Sequence, residues 1–190
     1  MTHIDLFKMK EGENRYLSKI EAASKIISNI YADLSYMVKK NRIEYRKKRL
    51  NFSLFLEERI DFFSEIAEGN RHEIITEVEK GIWLNFSPEE LQRIVDNNLS
   101  NAIKYANRGT DVKVSLKEEN NEIILQFAGH SPKIEDTERI FKAFERENDV
   151  RGGFGLGLEI VYAICQKENV KIEVRSDNNL TVFSYRFIKG

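Results

Sequence analysis

Apolar residues recur at helical spacing through the first 70 residues of the chain. Between residues 20 and 37 they fall at intervals of 3, 4, 3, 4 and 3, the heptad stripe of a helix that packs on another helix. This pattern predicts a helix from about Asn14 to about Lys40. A second stripe, from Leu56 to Ala67, predicts a helix that ends at Gly69–Asn70, residue types that suit a helix C-terminus. We expect the two helices to form an antiparallel hairpin that dimerises into a four-helix bundle.

Beyond residue 70 the pattern changes to short alternating segments between longer helical ones. The predicted elements are strands at 74–78 and 82–86, a helix at 88–103, strands near 112–116 and 124–127, a helix at 158–167, and strands at 170–174 and 180–187. This order is typical of a sheet that helices cover on one face. The predicted fold class is therefore α+β, with a helical hairpin in residues 1–70 and a two-layer α/β domain in residues 71–190.

Charge and cysteine content exclude several classes of function. The chain has 30 basic and 31 acidic residues, so its overall charge favours neither nucleic acid nor an anionic membrane as a partner. We interpret the basic stretch at residues 39–49 as a solvated hairpin or helix end and not as a nucleic-acid arm. One cysteine, Cys165, and three widely spaced histidines suggest neither disulfides nor a zinc site. No segment resembles a membrane span, and we expect a reducing, cytoplasmic setting.

The predicted helix at residues 88–103 leads into residue types that suit nucleotide and metal binding. Asn97 and Asn101 are four residues apart and share one helix face, and Lys104 and Tyr105 follow one turn later. Amide oxygens can ligate a hard cation such as Mg²⁺, a lysine can reach a phosphate, and a tyrosine ring can pack on a base. The alternative is the polar face of an ordinary helix.

A glycine-rich segment, G-G-F-G-L-G-L at residues 152–158, leads directly into the next predicted helix. Its glycines allow backbone N–H groups to approach an anion, and the helix N-terminus adds a positive dipole end. Alone this is a weak signal, since it is neither a Walker loop nor a dinucleotide fingerprint. The order of three motifs is more specific: N-x-x-x-N-A-x-K-Y at 97–105, I-F-x-x-F-x-R at 140–146, and then the glycine-rich segment.

With these motifs, residues 71–188 resemble the ATP-binding domain of the sensor histidine kinases, which has the Bergerat fold and belongs to a wider superfamily of gyrase, heat-shock, kinase and MutL ATPases. The resemblance implies Mg-ATP as the ligand, with Asn97 and Asn101 holding Mg²⁺, Lys104 contacting phosphate and Tyr105 lying against adenine. It also implies a phosphate pocket lined by the glycine-rich segment, under a short lid at about residues 145–152. The residues implied there are Arg146, Arg151, Gly153, Gly155, Leu156 and Gly157.

The helical part resembles the dimerisation and phosphotransfer hairpin of the same family. The family pattern N-I-S-H-E-L-R-T-P aligns with residues 29–37, where Asn29, Ile30, Leu34 and an acid at Asp33 agree and the acceptor histidine falls on Ala32. With Ile30 and Leu34 in the apolar stripe, residue 32 is a solvent-facing position. Asp33 beside it would be the base that polarises an imidazole, or a plain solvated acid.

The resemblance therefore implies the catalytic core of a sensor histidine kinase. Such an enzyme transfers the γ-phosphoryl group of ATP to a histidine, here expected at position 32, and then to an aspartate in the receiver domain of a response regulator. Because Ala32 cannot accept phosphate, we do not expect this chain to autophosphorylate. Either a kinase histidine has been replaced or the chain is a natural non-acceptor, and the sequence does not separate these explanations.

A second departure from the family pattern lies in the first glycine box. Gly129 occupies the place of the acid that accepts the adenine amino proton. Losing one buried hydrogen bond costs about 1–3 kcal/mol, so we expect weak ATP binding or a relaxed base preference.

Two other classes of protein fit less well. A non-catalytic dimeric scaffold is favoured by Ala32 and Gly129, but the intact asparagines and glycine loop argue against it. An ATPase clamp of the MutL or gyrase type would need a glutamate as general base in the helix of Asn97, where Asp96 is the nearest acid.

Overall fold

The computed structural model describes residues 31, 34–38, 45–141 and 156–189. The chain divides into two compact units, residues 1–43 and 44–190. In the first unit, residue 31 and residues 34–38 are helical, as the heptad stripe predicts. The rest of the predicted Asn14–Lys40 helix lies outside the described residues, so the hairpin and its dimerisation stay predictions.

The second unit is built from seven strands and three helices in its described parts. In chain order they are β1 (Lys48–Asn51), α1 (Phe52–Gly69), β2 (Ile74–Val78), β3 (Trp83–Phe86), α2 (Pro88–Tyr105), β4 (Val112–Glu119), β5 (Glu122–His130), a 3₁₀ turn (Arg139–Phe141), α3 (Gly157–Glu168), β6 (Lys171–Asp177) and β7 (Leu180–Ile188). Strands β1 and β3 form a two-stranded antiparallel sheet. The main sheet has the order β2-β4-β5-β7-β6, in which only the β2–β4 pair is parallel. The predicted α+β class and the strands and helices beyond residue 70 are confirmed.

The core lies between the main sheet and the helices. Val112, Val114 and Leu116 alternate along β4 and are fully buried, so one face of the sheet is apolar. On that face Phe127 of β5 packs edge-on against Tyr185 of β7, with ring centroids 6.3 Å apart. This burial stabilises the layer arrangement because apolar area removed from water is the main favourable contribution to folding. No helix in the described part of the chain is long and apolar enough to cross a membrane.

Helix α1 occupies a place that the sequence did not predict. The helix itself is confirmed, but it belongs to the same unit as the sheet and not to the unit of residues 1–43. The Phe52 ring packs edge-on against Phe187 of β7 at 5.5 Å, and Arg59 forms two hydrogen bonds of 2.7 and 2.8 Å with Asp96 of α2. The boundary predicted at residue 70 is therefore corrected to residues 43 and 44. An apolar stripe specifies that a helix packs, but not which element it packs on.

Helices α2 and α3 run side by side over the sheet and are joined near one end by an ion pair. Ser87 caps α2 by accepting a hydrogen bond from the Glu90 backbone at 3.2 Å, as the sequence predicts. The Glu90 carboxylate is buried and pairs with Lys167 in the last turn of α3 at 2.9 Å. This contact holds the N-terminal end of α2 against the C-terminal end of α3, so the two helices are antiparallel.

A buried hydrogen bond fixes α2 on the sheet. The Tyr185 hydroxyl donates to the Asn98 side-chain oxygen at 2.9 Å, and the Asn98 amide donates to the Ile94 carbonyl at 2.8 Å. Both side chains are almost completely buried. Burial raises the pKa of Tyr185 well above its ordinary value, so the phenol stays protonated and remains a donor.

We predict that Tyr185→Phe lowers the free energy of unfolding by about 1–3 kcal/mol, because it leaves the buried Asn98 oxygen without its donor. Urea unfolding measures the change. Tyr162→Phe is the matched control, since Tyr162 is 42% exposed and should lose less than about 0.5 kcal/mol. Equal stability of the Tyr185→Phe variant and the original chain would contradict the role of this bond.

Candidate functional site

One side of helix α2 carries the polar residues that the sequence singled out. Asn97, Asn101, Lys104 and Tyr105 follow the spacing i, i+4, i+7 and i+8, which places them along one helix face. From Asn97 to Tyr105 the helix rises by about 12 Å. The Lys104 ammonium lies 4.9 Å from the centroid of the Tyr105 ring. This face is long enough to extend along a nucleotide from its phosphates to its base.

Helix α3 begins in direct contact with Asn97. A Cβ atom added to Gly157 would lie 2.2 Å from the Asn97 side-chain oxygen, a distance that no real side chain adopts. The Asn97 amide donates to the Arg93 carbonyl at 2.9 Å, which turns its oxygen toward Gly157. Leu156 precedes the helix and is buried. A side chain at position 157 would therefore have to displace the Asn97 amide, and glycine there lets an amide oxygen lie at the N-terminus of a 12-residue helix.

The N-terminus of α3 and the Asn97 oxygen together form a site that can attract both an anion and a cation. Helix N-termini present unpaired N–H groups and attract anions. Amide oxygens attract hard cations such as Mg²⁺, which usually keeps several waters and binds phosphate oxygens as well. In the described ranges no group of three His, Cys, Asp or Glu side chains could hold a metal. An amide oxygen beside a helix N-terminus therefore fits a metal ion that arrives with a phosphate group.

The opposite end of the α2 face meets the end of strand β5. The Asn107 N–H donates to the His130 carbonyl at 2.7 Å, which brings the chain just after Tyr105 next to the end of β5. Gly129 lies one residue before this contact and opposite Thr181 of β7. An added Cβ at Gly129 would meet only the Asp111 carbonyl, at 3.9 Å. Packing therefore does not require glycine here.

A cluster of hydroxyl groups next to Gly129 was not predicted from the sequence. Ser131 donates to Thr181 at 2.8 Å, and Ser176 and Thr181 share a second hydrogen bond of 2.8 Å. Ser176 also accepts from the Ile134 N–H at 2.9 Å. Only the pairing of β5, β6 and β7 brings these side chains together. Single serines and threonines distant in sequence give no pattern that could have indicated it.

Asp96, the acid nearest to Asn97 in sequence, is directed elsewhere. Both of its carboxylate oxygens bind Arg59 of α1, and Gln92 adds a hydrogen bond of 3.1 Å. The carboxylate is thus engaged on the α1 side of the helix. It is not placed to activate a water molecule beside Asn97. Asp96 therefore does not supply the general base that an ATPase clamp of the MutL or gyrase type would need in this helix.

The structure therefore brings Asn97 to Gly157 and places Asn101, Lys104 and Tyr105 along the same face of α2. Leu156 is buried next to Gly157 in the chain, and Gly129 lies near the C-terminal end of α2. The remaining predicted site residues, Ala32, Asp33, Arg146, Arg151, Gly153 and Gly155, lie outside the described residues. The structural role of Asn98 was not predicted from the sequence. The adjacent asparagines at 97 and 98 were the available signal, because only one of two neighbours on a helix can face the site.

Comparison with known proteins identifies the family. The sequence profile of the histidine kinase-, DNA gyrase B-, and HSP90-like ATPases matches residues 86–187, more than half of the chain. The chain belongs to this ATPase family. The match begins just before α2 and ends in β7, so it contains every described part of the site. The resemblance to sensor histidine kinases, stated above from three motifs, is confirmed.

Relatives of known function are histidine kinases. The chain is 29% identical over 191 residues to the sensor histidine kinase YvrG of Bacillus subtilis, covering 96% of this chain and 32% of YvrG. It is 34% identical over 95 residues to the histidine protein kinase SaeS of Staphylococcus aureus, covering 46% of this chain and 27% of SaeS. The chain thus spans about a third or less of the length of these relatives.

Several solved histidine kinases share the fold. The AdeS kinase of Acinetobacter baumannii superposes with a TM-score of 0.77 at 18% identity, covering 97% of this chain and 91% of AdeS. Full-length ShkA in complex with AMPPNP gives 0.78 at 18% identity, covering 90% and 38%. ThkA in complex with the response regulator TrrA gives 0.74 at 16% identity, covering 97% and 55%. At these identities the likeness establishes the fold.

The contact between Gly157 and Asn97 makes a testable prediction. Gly157→Ala should displace the Asn97 side chain and weaken the binding of Mg-ATP at least about tenfold, because a Cβ would occupy the position of the amide oxygen. Calorimetric titration measures the affinity. Gly69→Ala is the control, since an added Cβ there meets nothing within 4 Å. Unchanged affinity in Gly157→Ala would contradict a role for this contact in nucleotide binding.

Proposed function

We propose that the chain binds Mg-ATP between helices α2 and α3 and acts as the nucleotide-binding catalytic part of a sensor histidine kinase. The observation that carries the proposal is the contact of Gly157 with Asn97, which sets a hard oxygen ligand at a helix N-terminus. Family membership over residues 86–187 and the matches to histidine kinases support it.

Each site residue has a role that follows from its chemistry. The amide oxygens of Asn97 and Asn101 hold Mg²⁺, which neutralises phosphate charge when it is bound. The N-terminus of α3, with Gly157 at its start, binds phosphate oxygens. Lys104 adds a positive charge, and the Tyr105 ring lies against the base. Catalysis in such a site is mostly positioning and charge stabilisation.

The phosphoryl group goes to a histidine and from there to an aspartate of a response-regulator receiver domain. One structural neighbour, ThkA, is in a complex with a response regulator, which supports that class of partner. A homodimer formed through the predicted helix of about residues 14–40 is the arrangement that the heptad stripe favours. Arg146 and Arg151 are proposed phosphate contacts, and Gly153 and Gly155 line the same pocket.

The acceptor position is a separate part of the proposal. Its placement at Ala32 rests on the sequence pattern around Asp33 and on the apolar stripe. The predicted partner helix, α1, lies in the unit that contains the sheet. The assignment of residue 32 therefore depends on the pattern alone and needs its own experiment.

A non-catalytic scaffold that signals by conformation or by binding a partner is the alternative. Ala32 and Gly129 favour it, since each replaces a functional residue of the family pattern. The retained Asn97, Asn101 and Lys104 argue against it, because a pocket that no longer binds a nucleotide has no need of them.

Nucleotide binding is the first prediction of the proposal. The chain should bind ATP and ADP more tightly with Mg²⁺ than without it, and Asn97→Ala should weaken Mg-ATP binding at least about tenfold by removing a metal ligand. Calorimetric titration measures both effects. Asn85→Ala is the control, since Asn85 is exposed in β3. No binding at millimolar nucleotide would refute the kinase proposal and favour the scaffold.

Phosphotransfer is the second prediction. If residue 32 is the acceptor position, Ala32→His should acquire an acid-labile, alkali-stable phosphate from radiolabelled ATP, because an imidazole then stands where the γ-phosphoryl group is delivered. The original chain and Ala32→Gln should stay unlabelled. A variant that binds Mg-ATP but takes up no label would contradict the acceptor assignment and leave the nucleotide site unaffected.

A further inference from the structure

The base end of the site lacks the acid that defines adenine in the family pattern. Gly129 and Thr181 are directly opposed in neighbouring antiparallel strands, where facing Cα atoms are about 4.5–5.5 Å apart. Both positions belong to the face of the sheet that carries Phe127 and Tyr185, toward the helices. The side chain of Thr181 therefore projects from the same face of the sheet as a side chain at position 129 would.

Hydrogen bonding determines what the Thr181 hydroxyl can offer. Ser131 donates to it at 2.8 Å, and this bond is shorter than the 3.2 Å from Ser131 to the Pro132 carbonyl. In the bond between Ser176 and Thr181 either oxygen can donate. Three hydroxyl protons thus serve two bonds within the cluster, and one proton is left for a ligand. When Ser176 donates to Thr181, the Thr181 hydroxyl can donate its proton to a ligand. When Thr181 donates to Ser176, the Thr181 oxygen has a free lone pair and can accept a hydrogen bond from a ligand.

We propose that the hydroxyl cluster of Ser131, Ser176 and Thr181 replaces the missing acid as the group that meets the purine base, and that the site consequently accepts 6-oxopurine as well as 6-aminopurine nucleoside triphosphates. The inference rests on the proposed nucleotide-binding function. It assigns a substrate class, purine nucleotides of both kinds, to the same site.

The chemistry of the two polar groups explains the loss of discrimination. An ionised carboxylate only accepts hydrogen bonds, so it favours the 6-amino group of adenine and repels the 6-oxo group of hypoxanthine or guanine. A hydroxyl both donates and accepts, and it can serve either group. Because the Ser176–Thr181 bond can reverse, the cluster adapts its proton to the base without moving any heavy atom.

The test compares ATP with ITP, whose bases differ at position 6 and in the protonation of the neighbouring ring nitrogen. Calorimetric titration of the full chain in Mg²⁺ should give affinities that agree within about threefold. Gly129→Asp, for which the backbone has room, should raise the ratio of ATP to ITP affinity at least about tenfold. Thr181→Val should weaken both nucleotides by a similar factor.

Gly129→Asn is the matched control for the carboxylate. It has the size of aspartate, but its amide both donates and accepts, so the ratio should stay within about threefold of the original value. A chain that binds ATP at least tenfold more tightly than ITP would overturn the inference and leave the proposed function standing. A chain in which neither nucleotide binds, with or without Gly129→Asp, would overturn both.

Discussion

The buried hydrogen bond between Tyr185 and Asn98 determines which residues of helix α2 can act on a ligand. At 2.9 Å it ties the middle of the helix to the central strands of the sheet. Because the helix cannot rotate without breaking this bond, Asn97, one position earlier, must face α3. The pairing of Arg59 with Asp96 holds the same turn from the α1 side. The side chains of Asp96, Asn97 and Asn98 thus point in three different directions, and only that of Asn97 points into the site.

Helix α3 completes the site because two contacts hold it against α2. At one end the buried Glu90 carboxylate pairs with Lys167, and at the other Gly157 touches Asn97. Breaking a buried ion pair on one side is costly, since it leaves an uncompensated charge. The spacing between the helices is consequently fixed at both ends. The N-terminus of α3 therefore stays beside the Asn97 amide oxygen, as it must if a phosphate group is to contact the first while its metal ion contacts the second.

Local sequence patterns predicted most of the helices and strands. The predictions that failed concern features that depend on which distant parts of the chain pack together. The capping residues at Ser87 and the alternation in β4 were sufficient, since both act within a few residues. The assignment of α1 to the hairpin was wrong because its apolar stripe carries no information about its partner. Strand β1 was missed because Lys48 and Arg49 resemble a solvated basic segment. The hydroxyl cluster was missed because three strands must pair before it exists.

The two glycines at the ends of the site have opposite explanations. At position 157 an added Cβ would overlap the Asn97 oxygen, so any larger residue has to displace the Asn97 side chain. At position 129 the nearest atom is 3.9 Å from an added Cβ, and the backbone does not have a positive φ, so neither sterics nor strain demands glycine. Under the proposed function, a substitution at position 129 therefore acts on ligand binding and not on packing. The proposed phosphate end is thus closed around Asn97, while the proposed base end has room for an added Cβ.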